Sequence, residues 1–185
     1  YFAKLLSHYF SALVTVDPHL HRYHDLSEIY DIPARVGHAA PLIAEWIAAN
    51  IDKPVLIGPD SESEQWVSAV ARQAGAPFTV LSKTRRGDRD VEVSVPQIER
   101  WQNHTPVLVD DIISSGHTML ETLAHLKHLG LPDAVCLAVH GVFAEGADEK
   151  LTAVARRVVT SNAIPHSTNA IDIGDLLADS IRELG

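Results

Sequence analysis

The chain has 185 residues, 46% of them apolar, and a net charge of −9 with His counted neutral. That apolar share can fill one real core, since domains commonly run to about 100–200 residues. The acidic balance argues against broad binding to nucleic acid or to an anionic membrane surface, and no apolar run nears the roughly 20 residues needed to span a bilayer. A lone Cys136 inside an apolar run excludes a disulfide framework and a thiolate zinc cluster. With no secretory signal pattern, the expectation is one cytoplasmic α/β domain. The opening Tyr1-Phe-Ala-Lys has no initiator Met and is already helical in pattern, so it reads as a piece of a longer protein.

In chain order, residues 1–10 are predicted helical, with Phe2, Leu5, Leu6 and Tyr9 on one face. Residues 12–16 form a buried strand ended by Asp17 and Pro18, and residues 19–37 form a polar, His-rich surface connection. Pro41 sits in the first turn of a helix with Leu42, Ile43, Trp46, Ile47 and Ile51 inward. Residues 54–58 form the next strand, with Asp60 just beyond it. Ser61 or Ser63 caps a helix whose buried stripe is Trp66, Val67, Val70 and Ala74, ending at Gly75. A short strand at 78–81 precedes a charged segment at 83–92, read as a solvated loop. Then come a strand at 106–110, a small polar loop, and a helix with Met119, Leu120, Leu123 and Leu126 inward. Strands at 134–140 and 157–160 flank a short helix at 147–154.

Strands alternating with helices predict right-handed βαβ units and a mostly parallel sheet. Ligands of such sheets bind beyond the carboxyl ends of the strands. Asp17 and His19, Asp60, Lys83 and Arg85, and Asp110 and Asp111 each follow or end a strand. Four segments are therefore expected to meet at one edge. Taken singly, each has a plainer reading: a turn at Asp17-Pro18-His19, a helix start at Asp60, a solvated loop around Lys83. The eleven His residues lack a fixed zinc spacing, and His125 and His128 are predicted to face solvent.

The most informative stretch is Pro106-Val-Leu-Val-Asp-Asp-Ile-Ile-Ser-Ser-Gly-His-Thr-Met119. An apolar strand, two acids, a small hydroxylated loop and a helix start together make a phosphate cradle. The helix dipole and successive loop N–H groups attract the anion, and Gly116 permits close approach. This segment resembles the phosphoribosyl pyrophosphate loop of type I phosphoribosyltransferases and ribose-phosphate pyrophosphokinases. The strand, both acids, one Gly and the final Thr match; Ser114 stands where the family has an acid, and His117 where it has a glycine.

The resemblance extends along the chain. Val14-Thr-Val-Asp-Pro-His19 and Ile57-Gly-Pro-Asp60 are similar to magnesium-binding segments of ribose-phosphate pyrophosphokinases. Leu81-Ser-Lys83-Thr-Arg85-Arg86 is similar to their Lys-Arg-Arg segment, and the stretches at 139–144 and 159–165 match two more in order. It implies the three-layer αβα phosphoribosyltransferase type I fold with a mostly parallel central sheet, and correspondence to the carboxyl-terminal portion, with the amino-terminal half-domain missing.

The implied reaction moves the diphosphoryl group of ATP to the 1-hydroxyl of ribose 5-phosphate, giving phosphoribosyl pyrophosphate and AMP. Ser114, Ser115, Gly116, His117 and Thr118 would hold the 5-phosphate; Asp110 and Asp111 would take the ribose hydroxyls. Lys83 and Arg85 would be catalytic, and His19 and Asp60 would hold Mg2+. The resemblance also implies a homo-oligomer, dimer or hexamer. Replacing His117 by glycine is expected to tighten ribose 5-phosphate binding. Two alternatives stay open: a phosphoribosyltransferase acting on a base, and a non-catalytic sugar-phosphate-binding regulator.

Overall fold

The computed structural model describes residues 1–20, 23, 25–59, 63–85, 91–94 and 98–184, which separate into two compact units. The larger unit, Ala40–Ile171, carries strands β3 (Pro54–Gly58), β4 (Phe78–Val80), β7 (Thr105–Ile113), β8 (Val135–Gly141), β9 (Arg157–Ser161) and β10 (Asn169–Ile171). They form one sheet in the order β10-β9-β8-β7-β3-β4, and every pairing is parallel. Helices α2 (Ala40–Asn50), α3 (Glu64–Ala74), α4 (His117–His128) and α5 (Ala147–Thr152) flank it. α2 packs on α3, and α4 packs on α5. This is the three-layer α/β arrangement expected.

Central strands are buried on both faces, and their sequences show it. Val55, Leu56, Ile57, Val107, Leu108 and Val109 are all fully buried, as continuous apolar runs in parallel sheets require. On one face, Ile57 and Leu108 share a core with Met119, Leu123 and Leu126 of α4 and Leu151 of α5. Each such side chain contributes about 1.5–3 kcal/mol relative to exposure. Cys136 is part of this core, and burial pushes its thiol pKa up to about 12, so it behaves as a small apolar residue.

The predicted strand at 106–110 is longer than expected. β7 runs through both acids to Ile113, because Ile112 and Ile113 continue the pairing with His140 and Gly141 of β8. The charged segment at 83–92 is not a simple loop. It contains strands β5 (Ser82–Arg85) and β6 (Val91–Ser94), paired antiparallel with Lys83 opposite Val93 and Arg85 opposite Val91. α3 starts at Ser63 without a side-chain cap bond and ends at Gly75 as predicted.

The smaller unit joins Tyr1–Ala39 to Asp172–Gly185. It holds α1 (Phe2–Tyr9), β1 (Leu13–Val16), β2 (Ala34–Gly37) and α6 (Gly174–Arg182). β1 and β2 pair in parallel, and α6 packs on both. The predicted 19–37 connection therefore hides a strand. It also holds a short 3-10 turn, Leu26–Glu28, closed by a capping box. Asp25 accepts from the Ser27 N–H at 2.7 Å, and Glu28 accepts from the Asp25 N–H at 3.1 Å. Hydrogen bonding from Ser27 lowers the Asp25 pKa. The sequence reading also stopped short of β10 and α6.

Candidate functional site

β3, β4, β7, β8 and β9 run parallel, so their carboxyl ends, at Gly58, Val80, Ile113, Gly141 and Ser161, open on one edge of the sheet. β7 lies between β3 and β8. Consecutive residues of a strand point to opposite faces, so Asp110 and Asp111 flank the end of β7 rather than doubling up on one side. Both are half-buried, and the Asp111 N–H donates to the Asp110 carboxylate at 3.0 Å.

The chain then turns through Ser114 and Ser115 into α4, whose N-cap is Gly116 in the left-handed conformation at φ 71. The Leu120 N–H donates to the Gly116 carbonyl at 2.9 Å, closing the first helical turn. The N–H groups of that turn have no acceptor within the helix, and with the dipole they make an anion-binding end. Ser114 and His117 are exposed, and Ser115 and Thr118 are half-buried. The His117 ring lies 3.0 Å from the Ser115 hydroxyl through Nδ1.

Gly116 itself is buried, and what comes close to it is protein. A Cβ there would sit 3.2 Å from Ala147 Cβ and 3.3 Å from Leu151 Cδ1. What the absence of a Cβ permits here is the approach of α5. At the other end of the loop, the Ile113 carbonyl accepts from both the Val142 and Phe143 N–H groups, at 3.0 and 3.1 Å. The loop is thus held at Ile113 by the β8–α5 connection and backed at Gly116 by α5 itself.

Asp110, Asp111 and residues 114–118 lie together where β7 ends and α4 begins. Lys83 and Arg85 lie on β5, which directly follows β4. Asp60 falls outside the described residues, though the strand before it, β3, pairs with β7 in register Ile57 to Leu108. His19 is an exposed residue of the smaller unit, after β1. Asp17 there has a structural task. Its carboxylate accepts from the Ala39 N–H at 2.7 Å and lies 3.0 Å from His38 Nδ1, so it ties the end of β1 to the residues after β2. Among the described residues, no trio of His, Cys, Asp and Glu converges as a metal cage. Magnesium commonly takes only one or two carboxylates, completing its shell with water and substrate phosphate. The hard oxygens of Asp110 and Asp111 suit that chemistry.

His125 corrects one expectation. It is half-buried rather than solvent-facing, and its Nε2 is buried with no hydrogen-bond partner among the described residues. Desolvation, then the nearby His128, lowers its pKa. His128 is exposed as predicted. Sequence reasoning also missed a polar network around His166. Its only signal was that residues 139–144 and 159–165 resembled family segments of unassigned role.

The family profile for the phosphoribosyl transferase domain matches residues 25–173. The chain belongs to that family. It is 28% identical to the ribose-phosphate pyrophosphokinase of Pyrococcus furiosus over 172 residues, covering 92% of this chain and 60% of that one. The ribose-phosphate pyrophosphokinase of Methanothermobacter thermautotrophicus is 30% identical, with 98% of this chain and 64% of that one covered. The fold is similar to the crystal structure of phosphoribosylpyrophosphate synthetase from Mycobacterium smegmatis, with a TM-score of 0.81 and 26% identity over 98% of this chain and 61% of that one. An adenine phosphoribosyltransferase from Giardia lamblia shares the fold at a TM-score of 0.51 and 19% identity over 66% of this chain. The chain thus spans about three fifths of the length of the curated relatives it matches. The sequence resemblance and the fold class it implied both hold.

Proposed function

We propose that this chain provides the sugar-phosphate half of a ribose-phosphate pyrophosphokinase, which transfers the diphosphoryl group of ATP to the 1-hydroxyl of ribose 5-phosphate. The observation that carries the reading is the continuity of acid pair, hydroxylated loop and helix N-terminus at the end of β7. Its similarity to ribose-phosphate pyrophosphokinases spans nearly the whole chain, which favours this reaction over base phosphoribosylation.

In this reading, residues 114–118 hold the 5-phosphate through loop N–H groups and the Ser114, Ser115 and Thr118 hydroxyls. His117 contributes through its backbone N–H at the helix start, while its ring occupies the Ser115 hydroxyl. Asp110 and Asp111 accept hydrogen bonds from the ribose hydroxyls and orient the attacking 1-oxygen toward the nucleotide. Lys83 and Arg85 are proposed to offset charge on the transferring oxygens. Magnesium, when bound, neutralises the triphosphate. Asp60 is its proposed ligand from the segment after β3, and His19 one from the segment after β1. A homo-oligomer is the proposed assembly.

The test is AMP formation by the full-length protein. It should require ATP, ribose 5-phosphate and magnesium together. A second reading, a regulator that binds the sugar phosphate without turnover, is favoured by Ser114 and His117 in place of the family's acid and glycine. Saturable ribose 5-phosphate binding with no AMP would select it. Release of pyrophosphate that depends on an added base would select a phosphoribosyltransferase.

A further inference from the structure

The groups that hold the loop after β7 lie in the β8–α5 connection and in α5, and both are themselves held from one side. His166 lies in the turn between β9 and β10. Its Nε2 is 3.3 Å from the Asp148 carboxylate, on the first turn of α5. Its Nδ1 is 2.9 Å from the Thr168 hydroxyl, which lies 2.7 Å from the Thr160 hydroxyl of β9. The Asn169 amide donates to Thr160 Oγ1 at 2.9 Å and to the Ser161 carbonyl at 2.6 Å, and it accepts from the His166 N–H at 2.7 Å. Both faces of the turn are thereby anchored to the sheet.

The ring of Phe143 packs on His166 with centroids 4.6 Å apart. A Cβ at Gly141 would fall 2.5 Å from that ring and 2.9 Å from Thr160, so Phe143 is pressed against bare backbone. Phe143 and Glu145 both hold left-handed backbone, at φ 50 and 58, conformations that persist only where the surroundings enforce them. His166 is therefore a residue touching both arms of the brace. Through Phe143 it reaches the two N–H groups on the Ile113 carbonyl. Through Asp148 it reaches the helix turn whose neighbours, Ala147 and Leu151, abut Gly116.

We infer that His166 is a positioning residue for the phosphate loop, holding Ile113 to Gly116 in the geometry that receives a sugar 5-phosphate. The ligand identity rests on the function proposed above; the brace itself does not. Losing a charge-assisted bond at one remove relaxes the loop, and the ligand then spends binding energy restoring it.

The test compares wild-type full-length protein with His166→Ala, His166→Gln and His166→Asn, all checked for folding by thermal melting. Glutamine places a donor near the reach of Nε2 and can keep Asp148; asparagine reaches only the Thr168 side. Amide exchange over residues 113–120 should quicken about tenfold in the Ala and Asn variants, and the KM for ribose 5-phosphate should rise about tenfold while that for ATP stays within about twofold. Glutamine should restore both. Asp148→Ala, an independent cut of the same link, should reproduce the Ala result. Unchanged loop exchange in folded His166→Ala and Asp148→Ala variants overturns the inference, as does equal behaviour of Gln and Asn. If wild-type protein forms no AMP, the functional reading fails, and the exchange data alone decide the brace.

Discussion

Gly116→Ala tests the packing of the loop against α5 directly. Two costs add at this position. A Cβ at φ 71 meets the left-handed penalty of about 1–2 kcal/mol. The same Cβ would stand 3.2 Å from Ala147 and 3.3 Å from Leu151, both fully buried, and overpacking of this kind costs about 1–3 kcal/mol. Reduced freedom of the unfolded chain returns about 0.4–1 kcal/mol, leaving a net loss of about 1–5 kcal/mol. Gly75→Ala supplies the control, because Gly75 has φ 63 but nothing within 4 Å of its would-be Cβ. It carries the strain without the clash. Urea unfolding of the two variants should therefore differ by the packing cost, about 1–3 kcal/mol. Equal destabilisation would refute the claim that α5 seats the loop. The Gly116 variant should also bind ribose 5-phosphate more weakly, since the loop must shift to admit the methyl.

Asp111→Asn, with its shape kept and its charge removed, should lower kcat/KM for ribose 5-phosphate at least about tenfold; an unchanged value in steady-state assays removes Asp111 from the site. His117→Gly frees the Ser115 hydroxyl and should tighten ribose 5-phosphate binding, whereas equal or weaker affinity by titration contradicts the proposed loop role. Cys136, with its thiol pushed up to about 12, should resist a thiol reagent until the protein unfolds. Because the unfolded thiol ionises first, its burial also favours unfolding as pH climbs above the ordinary thiol range toward 12. His125 acts in the opposite direction: its lowered pKa means that the unfolded chain binds the proton more readily. Stability should fall as pH drops through the ordinary imidazole range, and His125→Gln should flatten that slope in thermal melts; parallel curves for the two proteins would exclude it.

The parts legible in the sequence are those where one physical signal dominates. β7 and α4 were readable because a continuous apolar run gives way at 114–118 to small polar residues and then to helical spacing. β3 and β8 are buried on both faces, and their runs show it. β2 was missed because Ala34–Gly37 is four residues long with an exposed Arg35 in the middle, which gives no apolar run. β5 and β6 were hidden by charge, since a hairpin outside the main sheet has no need of one. α6 follows Ile173, an N-cap with no side-chain bond of its own; its start is marked only by Asp172, whose carboxylate accepts from the Gly174 N–H at 2.8 Å, and the reading passed over it. The acid pair and loop could be named from their residue types, but the brace could not. Phe143, Asp148 and His166 are separated in sequence and meet only through the β8–α5 and β9–β10 connections. His125 was misjudged because its ring is half-buried with Nε2 shielded, whereas His128, three residues on, is exposed.

The smaller unit is assembled from two stretches with the whole of Ala40–Ile171 between them. During synthesis β1 and β2 must therefore wait for α6, which the ribosome delivers more than 130 residues later, or about 7–26 seconds at usual elongation rates. The sheet that carries the phosphate loop is one uninterrupted stretch and can close first. A released chain truncated just after β10 should already protect the core around Leu108 and Leu137 from proteases, while β1 and β2 are still open to cleavage.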